Sequence, residues 1–449
     1  GRTSPIPRVS FSSLENRMSK SNSVPRTTFL PARLLVTGLC SLAALATGDL
    51  WAQSTPAPAG ATITLPQAFA AAWARQPEAQ SIDLRRDAAE ARRQVADSWT
   101  AQPPSLDLAG KTDQLSKNQG SREYAAGVAL PLWLPGERSR QGALADAESK
   151  ALDSRVTAAQ LRTAAAVRDA WWNWQRARGE QSLARERLIS AQKLAEDVRR
   201  RAKAGDLARS DQHQADGAAA SAEVALAESG SLLAASTQHL RALIGKLPDE
   251  KAADGPETPP AVPADFTALD TTHPAVVELF DRAEVARRSA DLASVQTRNN
   301  PELLLATTRE RGAFGDDYQQ TVTFGVRIPF GSESRNRAKL GLARAEALET
   351  EGQLRLERER LAADLEAARV RVESSRIQLA AAEKRAQLAR ESRGFFDKSF
   401  RLGESDLPTR LRIELESVEA ERQNARTRID LAAGISALRQ ALGLLPEQK

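Results

Sequence analysis

The sequence predicts a mainly α-helical chain with a membrane β part, arranged as duplicated helix–strand–strand–helix halves with long coiled-coil helices. Three observations predict it. The string LRALIGKLP, starting at Leu240, returns as LRQALGLLP, starting at Leu438, with five of nine positions identical. Two spans, 136–203 and 334–401, each hold 68 residues without proline and are rich in Ala, Arg, Glu, Leu and Gln. Ahead of each, a stretch bounded by prolines changes from helical to two-residue periodicity. The repeat step is 198 residues: Gly127, Val128 and Pro131 answer to Gly325, Val326 and Pro329, and Gly205 to Gly403. Solenoid units run about 20–50 residues, so a step this long marks a duplicated domain.

The chain opens on a basic and then apolar leader. Of 63 Lys and Arg against 58 Asp and Glu, six bases and one acid fall in the first 33 residues, leaving 57 of each beyond. The body therefore lacks the polycationic surface that nucleic acid demands, and no nucleic-acid partner is expected. The bases, the apolar run 34–46 and the small residues toward Ala52 read as an export signal. Met18, the only methionine, is the expected translation start, with 1–17 an extension ahead of it. The only cysteine, Cys40, follows Leu39 inside the apolar run, where a lipoprotein signal wants a small residue; it reads as part of the discarded signal. The exported chain then has no thiol for a disulfide, a metal or nucleophilic attack. The expected layout is a leader at 1–52, a linker at 53–64, a first repeat at 65–248, a linker at 249–272 and a second repeat at 273–446. No run of 18 apolar residues follows the leader, so no transmembrane helix is predicted, and any crossing must be made by strands.

The first helix is predicted over 65–101, with Pro66 near its start; its counterpart begins before His273-Pro274 and ends at Asn299-Asn300-Pro301. Strands follow between Pro104 and Pro131 and between Pro301 and Pro329. Val322, Phe324, Val326, Ile328 and Phe330 alternate with Thr321, Thr323, Gly325 and Arg327, while Ala126, Val128, Leu130 and Leu132 alternate with Ala125, Gly127 and Ala129. Leu106, Leu108, Leu303 and Leu305 mark the weaker partner strands. About ten residues suffice for a tilted strand to cross a bilayer. Tyr124 and Tyr318, the only tyrosines, stand at the loop ends of the stronger strands, and Trp133 and Phe330 at the opposite ends, as in an interfacial girdle. The predicted lipid-facing set is Val128, Leu130, Val322, Phe324, Val326 and Ile328. A small soluble sheet packed on helices would tolerate the same alternation.

The long helices would each span roughly 100 Å at about 1.5 Å per residue. Leu354 and Leu361 recur at seven, as do Leu365, Val372 and Leu379, which is coiled-coil spacing. Trp171 and Trp174 share a face near the middle of the first long helix and read as packing residues. Each long helix turns at a glycine and returns. The stretch 246–272, with five prolines and scattered acids, links the halves. Four strands cannot close a barrel, and open edges are not tolerated in lipid, so strands placed in a membrane require several chains to share one barrel.

No catalytic constellation stands out. His213, His239 and His273 are isolated, no phosphate-binding glycine loop is present, and neither a cofactor nor a metal site is expected. The chain is not expected to be an enzyme.

The duplicated helix–strand–strand–helix order, the long helices and the turn glycines resemble the TolC-like outer-membrane factor family, over about 65–446. The strings VALPLWLPGERSRQ (128–141) and VRIPFGSESRNRA (326–338) resemble most its heavy-metal, CzcC-like branch. The resemblance implies a homotrimer whose chains share a 12-stranded β-barrel in the outer membrane. It also implies a trimeric α-barrel across the periplasm, docked to a periplasmic adaptor (membrane fusion protein) and an inner-membrane pump. The implied function is the exit duct of a tripartite efflux system exporting heavy-metal cations. Type I secretion or drug efflux is the alternative cargo, and a periplasmic coiled-coil scaffold or adaptor the alternative of another class. In the family the hairpin turns carrying Gly-x-x-x-x-x-Asp form the periplasmic entrance. Here GDLARSD supplies Gly205, Asp206 and Asp211. The second turn, GESDLPT, has Gly403, Glu404 and Asp406, but Thr409 where the aspartate would stand. The expected entrance ring is completed by Arg410 and Arg412 facing those acids; helix capping is the simpler role for the same acids.

Overall fold

The computed structural model describes residues 63–246, 256–263 and 268–447. The leader, with Met18 and Cys40, lies outside the described residues. Two short helices, α1 (Leu65–Ala74) and α2 (Pro77–Asp97), precede strands β1 (Ser105–Thr112) and β2 (Arg122–Pro131). The long helix α3 (Glu137–Ala204) and its return α4 (Arg209–Ile244) follow. The order then repeats as α5 (Leu269–Thr272), α6 (Pro274–Val295), β3 (Glu302–Arg311), β4 (Gln319–Arg327), α7 (Glu333–Arg401) and α8 (Leu407–Ala441).

The helix predicted over 65–101 is two helices. Pro77 has no N–H to donate and pushes Gln76 out of helical geometry, to ψ 139°, so the chain breaks there and restarts with the proline in the first turn. Pro274 does the same after His273 at ψ 120°. The start of α1 is secured by reciprocal bonds: the Gln67 backbone N–H donates to Thr64 Oγ1 (3.4 Å) and the Thr64 N–H to Gln67 Oε1 (3.1 Å). Helices α3 and α7 run unbroken for 68 and 69 residues, about 100 Å each. Both end where a glycine takes a left-handed conformation, Gly205 at φ 89° and Gly403 at φ 78°.

Helix α3 pairs with α4, and α7 with α8, as two antiparallel hairpins. Helix α6 is wedged between α3 and α7, so it touches both halves, whereas its counterpart α2 packs on α3 and leaves Leu84, Val95 and Trp99 exposed. At the middle of the bundle Trp171, Trp172 and Trp174 are buried with Leu65, Ala68, Val167, Leu240 and Ala432. Trp171 and Trp174 tilt together at 5.4 Å, and Trp172 Nε1 donates to Ser436 Oγ at 2.8 Å, tying one half to the other. The second half buries Leu269, Leu365, Val372, Ile435, Leu438 and Leu442 together.

The described part of the linker, 256–263, has no regular structure, yet it is fastened across both halves. Arg168 donates to both carboxylate oxygens of Glu257 (3.0 and 2.8 Å), to Gln440 Oε1 (2.7 Å) and to the Leu444 carbonyl (3.0 Å). Arg439 reaches Glu257 at 3.3 Å and the Thr258 carbonyl at 3.1 Å. Both guanidinium groups are buried, so the single carboxylate of Glu257 compensates two charges, with exposed Glu447 adding a third contact to Arg439 at 2.6 Å. Next to this cluster Gly443 sits at φ 74°, where a Cβ would fall 2.6 Å from Pro274 Cδ. Only glycine fits. His273, buried beside it, caps α6 by accepting the Ala275 N–H at 3.3 Å, and burial pushes its pKa below the usual histidine value.

Two stability predictions follow from this junction. Glu257→Ala leaves buried Arg168 without a counter-ion and Arg439 with only exposed Glu447, and should cost about 3–5 kcal/mol, whereas Glu447→Ala should cost under about 1 kcal/mol, measured by thermal or denaturant unfolding. His273 is held neutral in the fold, so its contribution is complete above the ordinary histidine pKa, about 6.5, and is lost as pH falls through the lowered folded value. His273→Asn retains a cap acceptor and should flatten the fall of melting temperature between about pH 7 and pH 5.

Candidate functional site

Two regions of the fold carry function-bearing geometry: the sheet and the hairpin tips. The four strands form one antiparallel sheet in the order β1-β2-β3-β4, so the two halves meet at the β2–β3 pair. Register places Leu106, Val128, Leu305 and Phe324 in one row across all four strands, and Leu108, Ala126, Thr307 and Val322 in the next. Leu130 pairs with Leu303, which pairs with Val326. Alternation then puts all of these on a single face. That face is open, with Phe324 77% exposed and Leu106, Val322 and Val326 exposed beside it.

The opposite face carries Asp107, Lys111, Glu123, Glu302, Glu310, Thr308, Thr321, Thr323 and Arg327, with Leu304 its one large apolar residue. Its charges pair across strands, Lys111 to Glu123 at 3.0 Å and Arg327 to Glu302 at 2.8 Å. Of the six residues expected on the apolar face, five lie in its strands. Ile328 lies one residue past the end of β4. Tyr124 and Tyr318 flank the loop end. At the helix end Phe330 and Trp99 are exposed, but Trp133 is half-buried, its Nε1 bound to the Ser98 carbonyl at 3.2 Å, so it anchors the strand exit instead of standing free.

At the tips, the acids cap helices. In the first hairpin the Ala208 backbone N–H donates to the Asp211 carboxylate at 3.1 Å; in the second the Thr409 N–H donates to Asp406 at 3.2 Å. Position 208 answers to 406 and 211 to 409 at the 198-residue step. The two turns thus use opposite halves of one reciprocal capping pair, which explains why Thr409 needs no aspartate. The bonds from Thr409 hold the Asp406 carboxyl below its usual range. Asp206 and Glu404, in the turns themselves, form no ion pair among the described residues.

The expected pairing of Asp211, Glu404 and Asp406 with Arg410 or Arg412 does not occur within the chain. Arg412 pairs with Glu416 one turn along its own helix, at 2.8 Å. Arg410 pairs with Asp397 at 2.5 Å and lies over the Phe400 ring at 4.8 Å, while Arg201 of the other hairpin covers the same ring at 5.2 Å. Phe400 is buried with Leu194, Val198, Ala215 and Leu407, joining both tips in one apolar cluster. Burial pushes the Arg410 pKa down, and Asp397 and Glu414 oppose that. The sequence reading missed Asp397; once the turn is placed at Gly403–Glu404, Asp397 with Arg410, and Arg393 with Glu414, are each equidistant from it and face each other across the packed hairpin.

Among the described residues no three His, Cys, Asp or Glu gather as a metal-binding group, and no helix is long and apolar enough to cross a membrane.

Residues 69–246 match the family of outer membrane efflux proteins. The solved structure of CusC, described in terms of transmembrane channel formation, superposes with a TM-score of 0.70 at 17% identity, covering 85% of this chain and 92% of that one. VceC, an outer membrane protein of Vibrio cholerae, gives 0.66 at 17% identity over 85% and 97% of the two chains. The open state of the MtrE outer membrane channel of Neisseria gonorrhoeae gives 0.68 at 16% identity over 85% and 89%. At these identities the likeness is one of fold. No curated protein matches the sequence significantly. Residues 69–246 are thus similar in sequence to the outer membrane efflux proteins, and the fold is similar along most of the chain to those solved channel structures.

Proposed function

We propose that the chain is the exit duct of a tripartite efflux system: a homotrimer whose strands cross the outer membrane as one shared barrel and whose helices extend into the periplasm. The observation that carries this reading is the sheet. Its apolar face is aligned in register across four strands, its other face is polar, and both outer strands, β1 and β4, keep an unpaired edge. Unpaired backbone groups in hydrocarbon each cost several kcal/mol, so such a sheet is completed by copies of itself.

The helices support the same assembly. Helix α6 fills the space between α3 and α7 inside the chain; the equivalent place beside α2 is empty and is where α7 of a second copy fits. The outer surface of α7 exposes Leu356, Val370 and Ile377 at heptad multiples, a seam awaiting a partner helix. A soluble scaffold would leave these faces and the sheet uncovered. The periplasmic adaptor and the inner-membrane pump would meet the assembly at its hairpin end. Heavy-metal cations are the proposed cargo, on the resemblance of 128–141 and 326–338 to the CzcC-like branch. A deletion strain complemented with this chain should regain metal tolerance; regained drug tolerance alone would favour the drug-efflux cargo.

Arginine at Phe324, near the middle of the apolar face, should cost about 2–4 kcal/mol and reduce heat-resistant trimer in membrane fractions. Arginine at Thr323, on the polar face, should be tolerated, and equal tolerance at both positions would remove the strands from lipid.

In a trimer the exposed acids of the tips are repeated threefold and form a negative ring at the entrance. Asparagine at both Asp211 and Asp406 keeps an acceptor for each cap while removing the charge. In planar bilayers this double variant should show a reduced cation preference and altered conductance, with the difference fading at high salt. Unchanged selectivity would leave both acids as caps alone.

A further inference from the structure

The apolar face of the sheet does not end in neutral residues at its loop end. Arg122 is paired in register with Arg311, and Tyr124 with Arg309, so all three arginines stand on the apolar face, directly above Ala126 and Thr307. Adjacent strands lie about 4.8 Å apart and a two-residue step is about 6.8 Å, so the three guanidinium groups share one small area. No acid of any strand lies on this face. Asp107, Glu123, Glu302 and Glu310 all alternate to the other side, where the cross-strand ion pairs are made. Among the described residues none of the three arginines forms an ion pair.

Two of them are held in place without being neutralised. Arg309 lies over the Tyr318 ring at 4.8 Å, and Arg311 over Tyr318 and Phe314 at 5.1 and 5.7 Å. Arg311 spends one donor, its Nε, on the Gly120 carbonyl at 3.1 Å. Stacking fixes a guanidinium plane and leaves its N–H edge free to meet a phosphate. The nearest loop acids are engaged locally: Asp113 accepts the Gln119 backbone N–H at 2.6 Å and Asp316 accepts that of Ala313 at 2.8 Å, while Asp317 is exposed. At the helix end the same face has no counterpart, because Arg327 points to the polar side and pairs with Glu302.

We infer that Arg122, Arg309 and Arg311 form a binding site for the phosphate groups of the outer-leaflet glycolipid, lipopolysaccharide, which fixes the height and orientation of the barrel. The inference rests on the outer-membrane reading above. The loops lie away from the helices, so with the helices in the periplasm this rim is the outer one. Arginine on a lipid-facing surface is costly at mid-membrane but inexpensive at the interface, and here it meets an anionic head group at the depth where the apolar rows stop. Tyrosines at the same level complete an interfacial band.

The test uses the full-length protein purified in detergent, with bisphosphorylated lipid A as the probe and dephosphorylated lipid A as the control, read by native mass spectrometry. The wild type should retain the bisphosphorylated form at least tenfold better than the dephosphorylated one, with retention weakening as salt rises. Gln at all three arginines should abolish that preference, while Arg327→Gln, on the other face, should keep it. Membrane fractionation of the triple variant separates this inference from the reading beneath it. A triple variant that reaches the outer membrane as a trimer and still prefers phosphorylated lipid A would overturn the site alone. A wild-type chain absent from the outer membrane would overturn both.

Discussion

The constraint on which the structure depends is the hydrogen bonding of strand edges. A four-stranded sheet satisfies its inner backbone groups, and β1 and β4 each keep one row of donors and acceptors unpaired. In water those rows are solvated; against hydrocarbon they are not, and the sheet's outward face is apolar along its whole width. The sheet edges thus add a third uncovered surface to those of the two helical hairpins. The open flank of α2 and the exposed seam of α7 lie on the same terms, since each lacks the neighbour that α6 has on both sides. In the assembly proposed above, completion by identical copies would satisfy strand edges and helix flanks together.

Duplication makes such a chain possible at modest cost in sequence. One unit supplies two strands, a long helix and its return, and the second unit lays its strands next to those of the first. The halves are then locked by interactions the duplication did not supply. Trp172 bonds Ser436 across the halves, and Glu257, from the linker, lies between Arg168 of the first half and Arg439 of the second. A buried carboxylate facing two arginines is costly to desolvate and effective only when all its hydrogen bonds are made, so it specifies one arrangement of the linker over others. At the tips a different device serves the same purpose. Phe400 is held between Arg201 and Arg410, one from each hairpin, so the two turns are coupled through a single buried ring.

Much of this was legible because it rests on local pattern. The alternation Val322, Phe324, Val326 dictates which face is apolar, the absence of proline permits unbroken helices, and the left-handed glycines at 205 and 403 set where they turn. The breaks the pattern concealed, between α1 and α2 and between α5 and α6, follow from Pro77 and Pro274. The apolar rows needed no tertiary information beyond pairing of neighbours, since a period of two leaves only two faces to choose between.

What the tertiary structure alone decided are the partners of charged side chains. Sequence offered Asp211, Glu404 and Asp406 as counterparts of Arg410 and Arg412, since all five belong to the two equivalent hairpin turns. The fold instead gave Arg410 to Asp397, across the hairpin, and used Asp211 and Asp406 as caps. Likewise the pairing of Glu257 with arginines 89 positions before it and far beyond it, and the isolation of Arg122, Arg309 and Arg311 from every strand acid, depend on register and crossing geometry. The physical reason is one of range. Apolar patterning and backbone conformation are set within a turn or two of the chain, whereas an ion pair forms wherever the fold brings two long, flexible side chains within about 4 Å, and that distance exists only after the helices and strands have packed.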